Sequence, residues 1–223
     1  MEMEDIEAAI REAKEAVWSF HQEEFYRVPD RAEVLLGGVA HVLLPTSVLA
    51  LAYRQDLEGA LGTEVADLTL YRLGYLVGQA HARHFLERYP HRGLLFRILA
   101  GPFFFAWAGY GDVDLLEADI RADPGFRVLW ETEDSFSARE ALREGLKRRV
   151  CHLQAGYSAG WCTEASGIPL EAKELACRAE GVRACRFLIA PEGAFPEVLG
   201  EGKWYKERRA YTVIPARIAK SSP

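Results

Sequence analysis

Hydrophobic side chains recur at helical spacing near the start of the chain. They are Ile6, Ile10, Ala13, Val17 and Phe20. This period predicts an amphipathic helix over residues 3–27. The next stretch, AEVLLGGVAHVLLP (residues 32–45), holds two runs rich in leucine and β-branched residues on either side of Gly37-Gly38, and it predicts a hairpin.

Two further helices are predicted before Pro90. The first has Thr46 or Ser47 as its cap and Gly62 as its end, and the second covers residues 63–89. Hydroxyl residues favour helix starts, whereas glycine and proline favour helix ends.

The second of these helices carries a stripe of small residues, Gly74, Gly78 and Ala82, at positions i, i+4 and i+8. Glycine costs about 1 kcal/mol in a helix interior. The stripe therefore indicates close packing against another backbone, and chance placement is the alternative.

The remaining elements follow from hydrophobic runs and turn residues. They are an apolar helix over 92–101 broken at Gly101-Pro102, a buried aromatic run over 103–111, strands over 113–120 and 126–133, a helix over 137–167 closed by Gly167 and Pro169, and a last hairpin over 169–181 and 184–191. Helices and hairpins are segregated along the chain rather than strictly alternating. This order predicts an α+β domain with antiparallel hairpins packed on helices.

Composition restricts the kind of protein. The chain has 223 residues, of which 49% are hydrophobic, with a formal net charge of −6 and a pI of about 5.6. This acidic balance disfavours direct binding to nucleic acid or to a membrane surface, because both attract positive charge. No apolar run reaches the roughly 18 residues of a membrane span, and the acidic N-terminus is unlike a signal peptide. We therefore expect a cytoplasmic protein with reduced thiols.

The segment ELACRAEGVRAC (residues 174–185) and the helix before it contain candidate metal ligands. The candidates are Glu174, Cys177, Cys185 and Cys151, with His152 and Cys162 as further choices. A closed zinc site needs four such ligands. Residues three apart on a regular strand point to opposite faces, so Glu174 and Cys177 can share a metal only where the strand bulges. The alternatives are a disulfide, which a reducing compartment disfavours, and ordinary buried thiols.

Positive side chains crowd this part of an otherwise acidic chain. They are Arg148, Arg149, Lys173, Arg178, Arg183 and Arg186. A zinc ion with three thiolates and one carboxylate carries a formal charge of about −2, which these cations would offset. The alternative is that they are ordinary solvated side chains.

Residues 156–187, GYSAGWCTEASGIPLEAKELACRAEGVRACRF, resemble the 4-vinyl reductase domain family. More closely, they resemble the signal-reception domain of phenol- and xylene-responsive activators of sigma-54-dependent transcription. The shared motif residues are Cys151, Gly156, Tyr157, Gly160, Glu174, Cys177 and Cys185. The resemblance extends upstream through LYRLGYLVGQAHA, ILAGP and FRVLW, and it covers roughly residues 30–190.

The resemblance implies a structural zinc and a domain layout. Its ligands would be Cys151, Glu174, Cys177 and Cys185, with Cys162 as a bystander. Residues 1–30 would form a dimerisation helix, residues 31–191 the ligand-binding sensor domain with a 4-vinyl reductase-like region over about 110–191, and residues 192–223 a tail or linker. The basic run KWYKERR in that tail is predicted to be a linker or docking segment.

Two features depart from the family. The activators continue into an ATPase domain, whereas this chain has no GxxxxGK[ST] motif, so we expect a sensor fragment or a stand-alone relative. Phenol sensors carry a histidine three residues after the Gly-Pro pair; here Phe105 takes its place, while Trp130 is kept. Because phenylalanine has no hydrogen-bonding group, we expect an apolar aromatic hydrocarbon to be preferred over phenol.

The predicted function is binding of a small, flat, aromatic ligand in a buried pocket, by a homodimer that acts in transcriptional regulation. The predicted ligand-binding residues are Ile98, Phe105, Val128, Trp130 and Trp161. Plain core packing is the alternative for each. A zinc with four protein ligands has no open position, so we expect a structural metal, no catalytic residue and no enzyme activity. A metal pair at His81 and His84 is less favoured than packed or solvated histidines.

Two other functions stay open at this point. A stand-alone 4-vinyl reductase-like protein would serve as an enzyme accessory or bind a tetrapyrrole or lipid-like ligand, and a bound porphyrin-like molecule would favour it. An interaction module would depend on its dimer surface, and a closed interior without a ligand would favour it.

Overall fold

The computed structural model describes residues 3–195 and 211–212. The helices are α1 (Met3–Glu24), α2 (Tyr53–Leu61, preceded by a π-helical segment Val48–Ala52), α3 (Thr63–Glu87), α4 (Leu94–Trp107), α5 (Phe136–Arg143) and α6 (His152–Ser166), with 3-10 segments at Pro29–Arg31 and Arg178–Glu180. The strands are β1 (Phe25–Val28), β2 (Glu33–Leu36), β3 (Val39–His41), β4 (Asp114–Asp119), β5 (Arg127–Thr132), β6 (Leu170–Ala176), β7 (Cys185–Pro191) and β8 (Tyr211–Thr212). Among these described residues, no helix combines the length and the apolar character needed to cross a membrane.

The strands form two antiparallel sheets. The smaller sheet has the order β1-β2-β3, and the larger has the order β6-β7-β5-β4-β8. The three predicted hairpins are confirmed as β2–β3, β4–β5 and β6–β7. β8 comes from the region predicted as a tail and pairs with β4; the basic run of that region lies outside the described residues. The mixed helix and antiparallel-sheet architecture agrees with the predicted class.

Helices α3 and α6 pack with their backbones in direct contact. A β-carbon added to Gly74 or Gly78 of α3 would lie 2.0 or 2.1 Å from a carbonyl oxygen of α6. In the same way, a β-carbon on Gly156 or Gly160 of α6 would lie 1.9 or 2.0 Å from a carbonyl oxygen of α3. Ala82, the third residue of the predicted stripe, is fully buried. The prediction of close backbone packing is confirmed, and this contact fixes α6 relative to α3.

The first helix ends three residues earlier than predicted. Residues 25–28 form β1 instead, paired with β2. The aromatic and β-branched side chains of this short run suit a strand, and the backbone partner on β2 overrides the helical period of the preceding sequence. Buried Ala13, Val17 and Phe20 of α1 belong to the main hydrophobic core, which α1 shares with α4.

The helix break predicted at Gly101-Pro102 is wrong, because α4 continues through Pro102 to Trp107. Proline removes one intrahelical donor. Burial of the three phenylalanines that follow compensates for this loss, since each is at most 6% exposed. Gly101 lets the helix approach the Trp161 ring, and the Trp161 indole donates a hydrogen bond to the carbonyl of Arg97 at 3.0 Å.

Two other helix predictions also differ from the structure. The helix predicted over 137–167 is two helices, α5 and α6, because Gly145 adopts a left-handed conformation (φ +71°) after α5. The predicted side-chain cap at Thr46 or Ser47 is absent: Ser47 makes no capping bond, and the Thr46 hydroxyl donates to Glu140 on α5 at 3.1 Å.

Candidate metal cluster and ligand cavity

Four predicted metal ligands meet at the junction of α6 with the β6–β7 hairpin. Cys151 directly precedes α6, Glu174 is on β6, Cys177 follows the end of β6, and Cys185 begins β7. The pairing of β6 with β7 shifts register between Glu174 and Ala176. This bulge is the irregularity that the three-residue spacing requires, and it brings one ligand atom from each residue within 4.8 Å of the others.

The sulfur separations in this Cys3Glu cluster suit a shared metal. The Sγ atom of Cys151 lies 3.9 Å from that of Cys177 and 3.7 Å from that of Cys185, and the latter two are 4.0 Å apart. A disulfide needs about 2.05 Å, so none of these pairs is bonded. Sulfurs at the corners of a tetrahedron around zinc, each at about 2.3 Å from the ion, lie about 3.8 Å apart.

The carboxylate of Glu174 completes this arrangement. Its Oε2 atom accepts a hydrogen bond from the backbone N–H of Cys151 at 3.0 Å, whereas its buried Oε1 atom has no hydrogen-bond partner. Burial raises the pKa of Glu174 to about 8 and raises the pKa of the Cys151 thiol well above its ordinary value. A divalent cation would supply the missing partner and stabilise the deprotonated groups. The residues present therefore fit a metal ion.

Neighbouring polar groups hold the sulfurs in place. The backbone N–H of Arg178 donates to Cys185 Sγ at 3.3 Å, and the Ser135 hydroxyl lies 3.2 Å from Cys151 Sγ. Such outer contacts orient ligands around a metal.

The arginines near the cluster are engaged by other acidic groups. Arg186 pairs with Glu131 at 2.8 Å, and Arg183 pairs with Glu133. Arg149 is the closer neighbour, because it donates to the main-chain carbonyl of Glu174 at 3.0 Å. The carboxylates of Glu131 and Glu133 therefore pair with the positive charges of Arg186 and Arg183.

A separate cavity lies between α4, α6 and the larger sheet. It is lined by all five predicted ligand-binding residues. Ile98 and Phe105 come from α4, Val128 and Trp130 from β5, and Trp161 from α6. The rest of the lining is Leu99, Gly101, Pro102, Val113, Leu115, Ile120, Tyr157, Ser158, Cys162 and Ile189. Tyr157 and Ser158 lie four and three positions before Trp161 on α6, a helical spacing in the sequence that could have identified them.

Phe105 occupies the middle of the aromatic wall of this cavity. Its ring centroid lies 5.4 Å from that of Trp130, 5.4 Å from that of Tyr157 and 5.2 Å from that of Tyr110. The free volume is about 40 Å³, which exceeds the roughly 10–15 Å³ that one water needs but falls short of the roughly 150 Å³ of a cavity that binds benzene. A bound aromatic ring would therefore require side chains of the wall to move.

The cluster and the cavity share two elements. α6 begins next to Cys151 and then lines the cavity with Tyr157 and Trp161, while β7 begins at Cys185 and reaches the cavity at Ile189. A metal at the cluster would fix the ends of two elements that form the cavity wall.

The two histidines of α3 serve different contacts. His84 Nε2 contacts the carbonyl of Gly37, and His81 lies between Tyr157 and His41. Among the described residues, the one grouping of three or more potential metal-binding side chains is the Cys3Glu cluster. These contacts agree with the favoured alternative of packed or solvated histidines.

Comparison with known proteins gives a consistent relationship. Residues 22–121 match the family model described as "Activator of aromatic catabolism". The chain is 30% identical over 161 residues to the transcriptional regulatory protein XylR of Pseudomonas putida. The matched region covers 71% of this chain and 28% of that protein. The chain thus spans less than a third of the length of that relative.

The structural comparison agrees with the sequence comparison. The fold is similar to the crystal structure of the phenol-responsive sensory domain of the transcription activator PoxR with phenol, with a TM-score of 0.73 and 24% sequence identity. The match covers 83% of this chain and 94% of that domain. The chain is accordingly similar in sequence to activators of aromatic catabolism and similar in fold to a phenol-responsive sensory domain, as its motifs predicted.

Proposed function

We propose that the chain is a sensor domain for a small, flat, aromatic molecule, which binds in the cavity between α4, β5 and α6 and acts in transcriptional regulation. The observation that carries this proposal is the meeting of Ile98, Phe105, Val128, Trp130 and Trp161 around one apolar cavity. A largely apolar lining with few polar groups suits a hydrophobic ligand. The named activity of the related activators supports the same class of ligand.

The side chain of Phe105 sets the ligand preference in this proposal. It contacts Trp130 and Tyr157 and would have to shift to admit a ring. A hydroxyl brought into this wall without a partner costs about 1–3 kcal/mol, which corresponds to roughly five- to 150-fold in affinity. An aromatic hydrocarbon such as toluene or xylene therefore binds more tightly than phenol. The Trp130 indole N–H could donate a hydrogen bond to one hydroxyl. This bond would place the preference for the hydrocarbon near the lower end of the roughly five- to 150-fold range.

The Cys3Glu cluster holds a structural zinc in this proposal. Cys151, Glu174, Cys177 and Cys185 would be its four ligands, and four protein ligands leave no position for a substrate. The ion would supply a cross-link between the start of α6 and the β6–β7 hairpin. Arg178 and Ser135 would keep the sulfurs oriented through the hydrogen bonds already described.

A second copy of the chain is proposed to cover the exposed edge of the small sheet. β3 is an edge strand, and it is followed by side chains that expose large apolar surfaces: Val42 (84%), Leu43 (66%) and Leu44 (60%). An open strand edge beside an apolar patch favours association. Light scattering at micromolar concentration should give a dimer mass, which Leu43→Lys lowers to a monomer and the control Val182→Lys leaves unchanged. A monomeric wild-type protein would contradict this part.

Calorimetry with toluene, xylene and phenol tests the ligand proposal. We expect tighter binding of the hydrocarbons by the wild-type protein, and a shift toward phenol in Phe105→His. Tighter phenol binding by the wild type contradicts the stated preference. Binding of none of the three contradicts the sensor proposal and favours an interaction module with a filled interior.

A further inference from the structure

Three polar side chains form a line from the cavity to the small sheet. The Tyr157 hydroxyl lies 3.1 Å from His81 Nδ1, His81 Nε2 lies 3.3 Å from His41 Nε2, and His41 Nδ1 lies 2.8 Å from the carbonyl oxygen of Val39. Tyr157 lines the cavity, whereas Val39 and His41 are on β3. We call this line the Tyr157–His81–His41 chain.

Hydrogen-bond chemistry fixes the direction of this chain. A carbonyl oxygen can only accept, so the hydrogen of neutral His41 is on Nδ1 and its Nε2 atom carries a lone pair. The facing Nε2 of His81 must then be the donor. A neutral His81 with its hydrogen on Nε2 has a lone pair on Nδ1, and the Tyr157 hydroxyl therefore donates to it.

The surroundings of His81 support a neutral ring. It packs against Phe104 with the ring centroids 4.9 Å apart. Burial and, after it, the nearby histidines 41, 21 and 84 lower the pKa of His81 to about 3. Near neutral pH the ring can thus accept from Tyr157 while it donates to His41.

We propose that His81 and His41 are positioning residues that couple Tyr157 in the cavity wall to β3, so that occupation of the cavity changes the position of His41. This inference rests on the proposed binding of an aromatic ligand. A cavity of about 40 Å³ cannot take a ring unless its wall moves, and Phe105 packs directly on the Tyr157 ring. Displacement of Tyr157 changes a hydrogen bond whose strength depends steeply on distance and angle, and the next links in the chain must adjust.

The position of β3 gives this coupling an output. His41 is the last residue of β3, and the exposed apolar side chains of Val42, Leu43 and Leu44 follow immediately. A change at His41 would therefore move the segment that the second copy is proposed to cover. By reciprocity, whatever fixes His41 also changes the affinity of the cavity for its ligand.

Nitrogen NMR of the whole protein tests the hydrogen-bond direction of the Tyr157–His81–His41 chain without any ligand. At mildly alkaline pH we expect His41 with its hydrogen on Nδ1 and His81 with its hydrogen on Nε2. In Tyr157→Phe, which keeps the ring but removes the donor, the Nδ1 resonance of His81 should move. The control Tyr53→Phe, an exposed tyrosine of α2, should move neither ring. Hydrogens on the opposite nitrogens in the wild-type protein would overturn the proposal.

Titration with toluene tests the coupling itself. The His81 and His41 ring signals should shift together and saturate at the Kd measured by calorimetry. In His81→Phe, which changes no residue of the cavity lining, toluene should still bind within about threefold of wild type, but the His41 shift should fall to less than about half, since the link is broken. Heat of binding without a His41 shift overturns the coupling and leaves the sensor function standing. Absence of toluene binding overturns both, and the ligand-free tautomers then show whether the chain is only a structural network.

Discussion

The contact between α3 and α6 gives the sharpest stability prediction. Gly78 of α3 faces the carbonyl oxygen of Tyr157, a residue of the cavity wall. Replacing Gly78 by alanine would place the new β-carbon 2.1 Å from that oxygen and 3.0 Å from the backbone nitrogen of Trp161. Both obstacles are backbone atoms, so no side chain can rotate away to relieve them.

The size of the effect follows from this distance. To reach even 3.0 Å from the oxygen, the two helices must separate locally by about 0.9 Å. Overpacking of a well-packed interior costs about 1–3 kcal/mol, and a backbone obstacle places this site at the upper end. Alanine returns about 1 kcal/mol of helix propensity. We therefore expect a net loss of about 2 kcal/mol, or about 4–8 °C in Tm for a domain of this size.

Gly59 on α2 provides the matched control, because a β-carbon there meets no atom within 4 Å. Gly59→Ala should stabilise the protein by about 0.5–1 kcal/mol through helix propensity alone. Urea unfolding and thermal scans should show a lower free energy of unfolding for Gly78→Ala and a higher one for Gly59→Ala than for the wild type. If Gly78→Ala were as stable as Gly59→Ala, the close backbone packing of α3 on α6 would be refuted.

Two further predictions concern the metal cluster and the buried histidines. Cys177→Ser should remove the metal and lower the Tm, because metal affinity in such a site contributes to folding. The control Cys162→Ser should keep full metal content by elemental analysis. Well under one zinc per chain in wild-type protein purified without chelator would contradict this prediction. Burial lowers the pKa of His21 to about 4 and that of His81 to about 3, so the unfolded state binds more protons below the ordinary value of 6.5. The free energy of unfolding should therefore fall as the pH drops from about 6.5 towards 4, by up to about 1.4 kcal/mol per pH unit for each histidine. Urea unfolding at several pH values should show a shallower dependence in His21→Phe but not in a variant of exposed His91, and equal slopes in both would contradict the assignment.

Local patterns in the sequence predicted most elements of the fold. The small-residue stripe of α3 indicated a backbone contact. Only the structure shows that Gly156 and Gly160 of α6, also four residues apart, form the other side of this contact. The helical period predicted an end for the first helix that is three residues too late. The reason is that β1 is stabilised by its partner strand rather than by its own sequence pattern. Pro102 is tolerated inside α4 because of burial that depends on tertiary packing.

The sites were predictable to different degrees. The spacing of Glu174 and Cys177 showed that a bulge was required, and the family motif selected the remaining ligands; the bulge itself is seen in the pairing of β6 with β7. The Tyr157–His81–His41 chain joins residues that are 76 and 40 positions apart. No sequence period relates such distant residues, so this chain could be found only from the folded structure.

Contacts between bound toluene and the protein test the central claim most directly. Intermolecular NOEs from toluene to assigned methyl groups would locate the ligand in solution. The account predicts saturable NOEs to Ile98 and Val128, two of the cavity residues that bring methyl groups from α4 and β5. NOEs confined to the exposed methyls of Leu43 and Leu44, or no saturable NOE at Ile98 and Val128, would contradict ligand binding in this cavity.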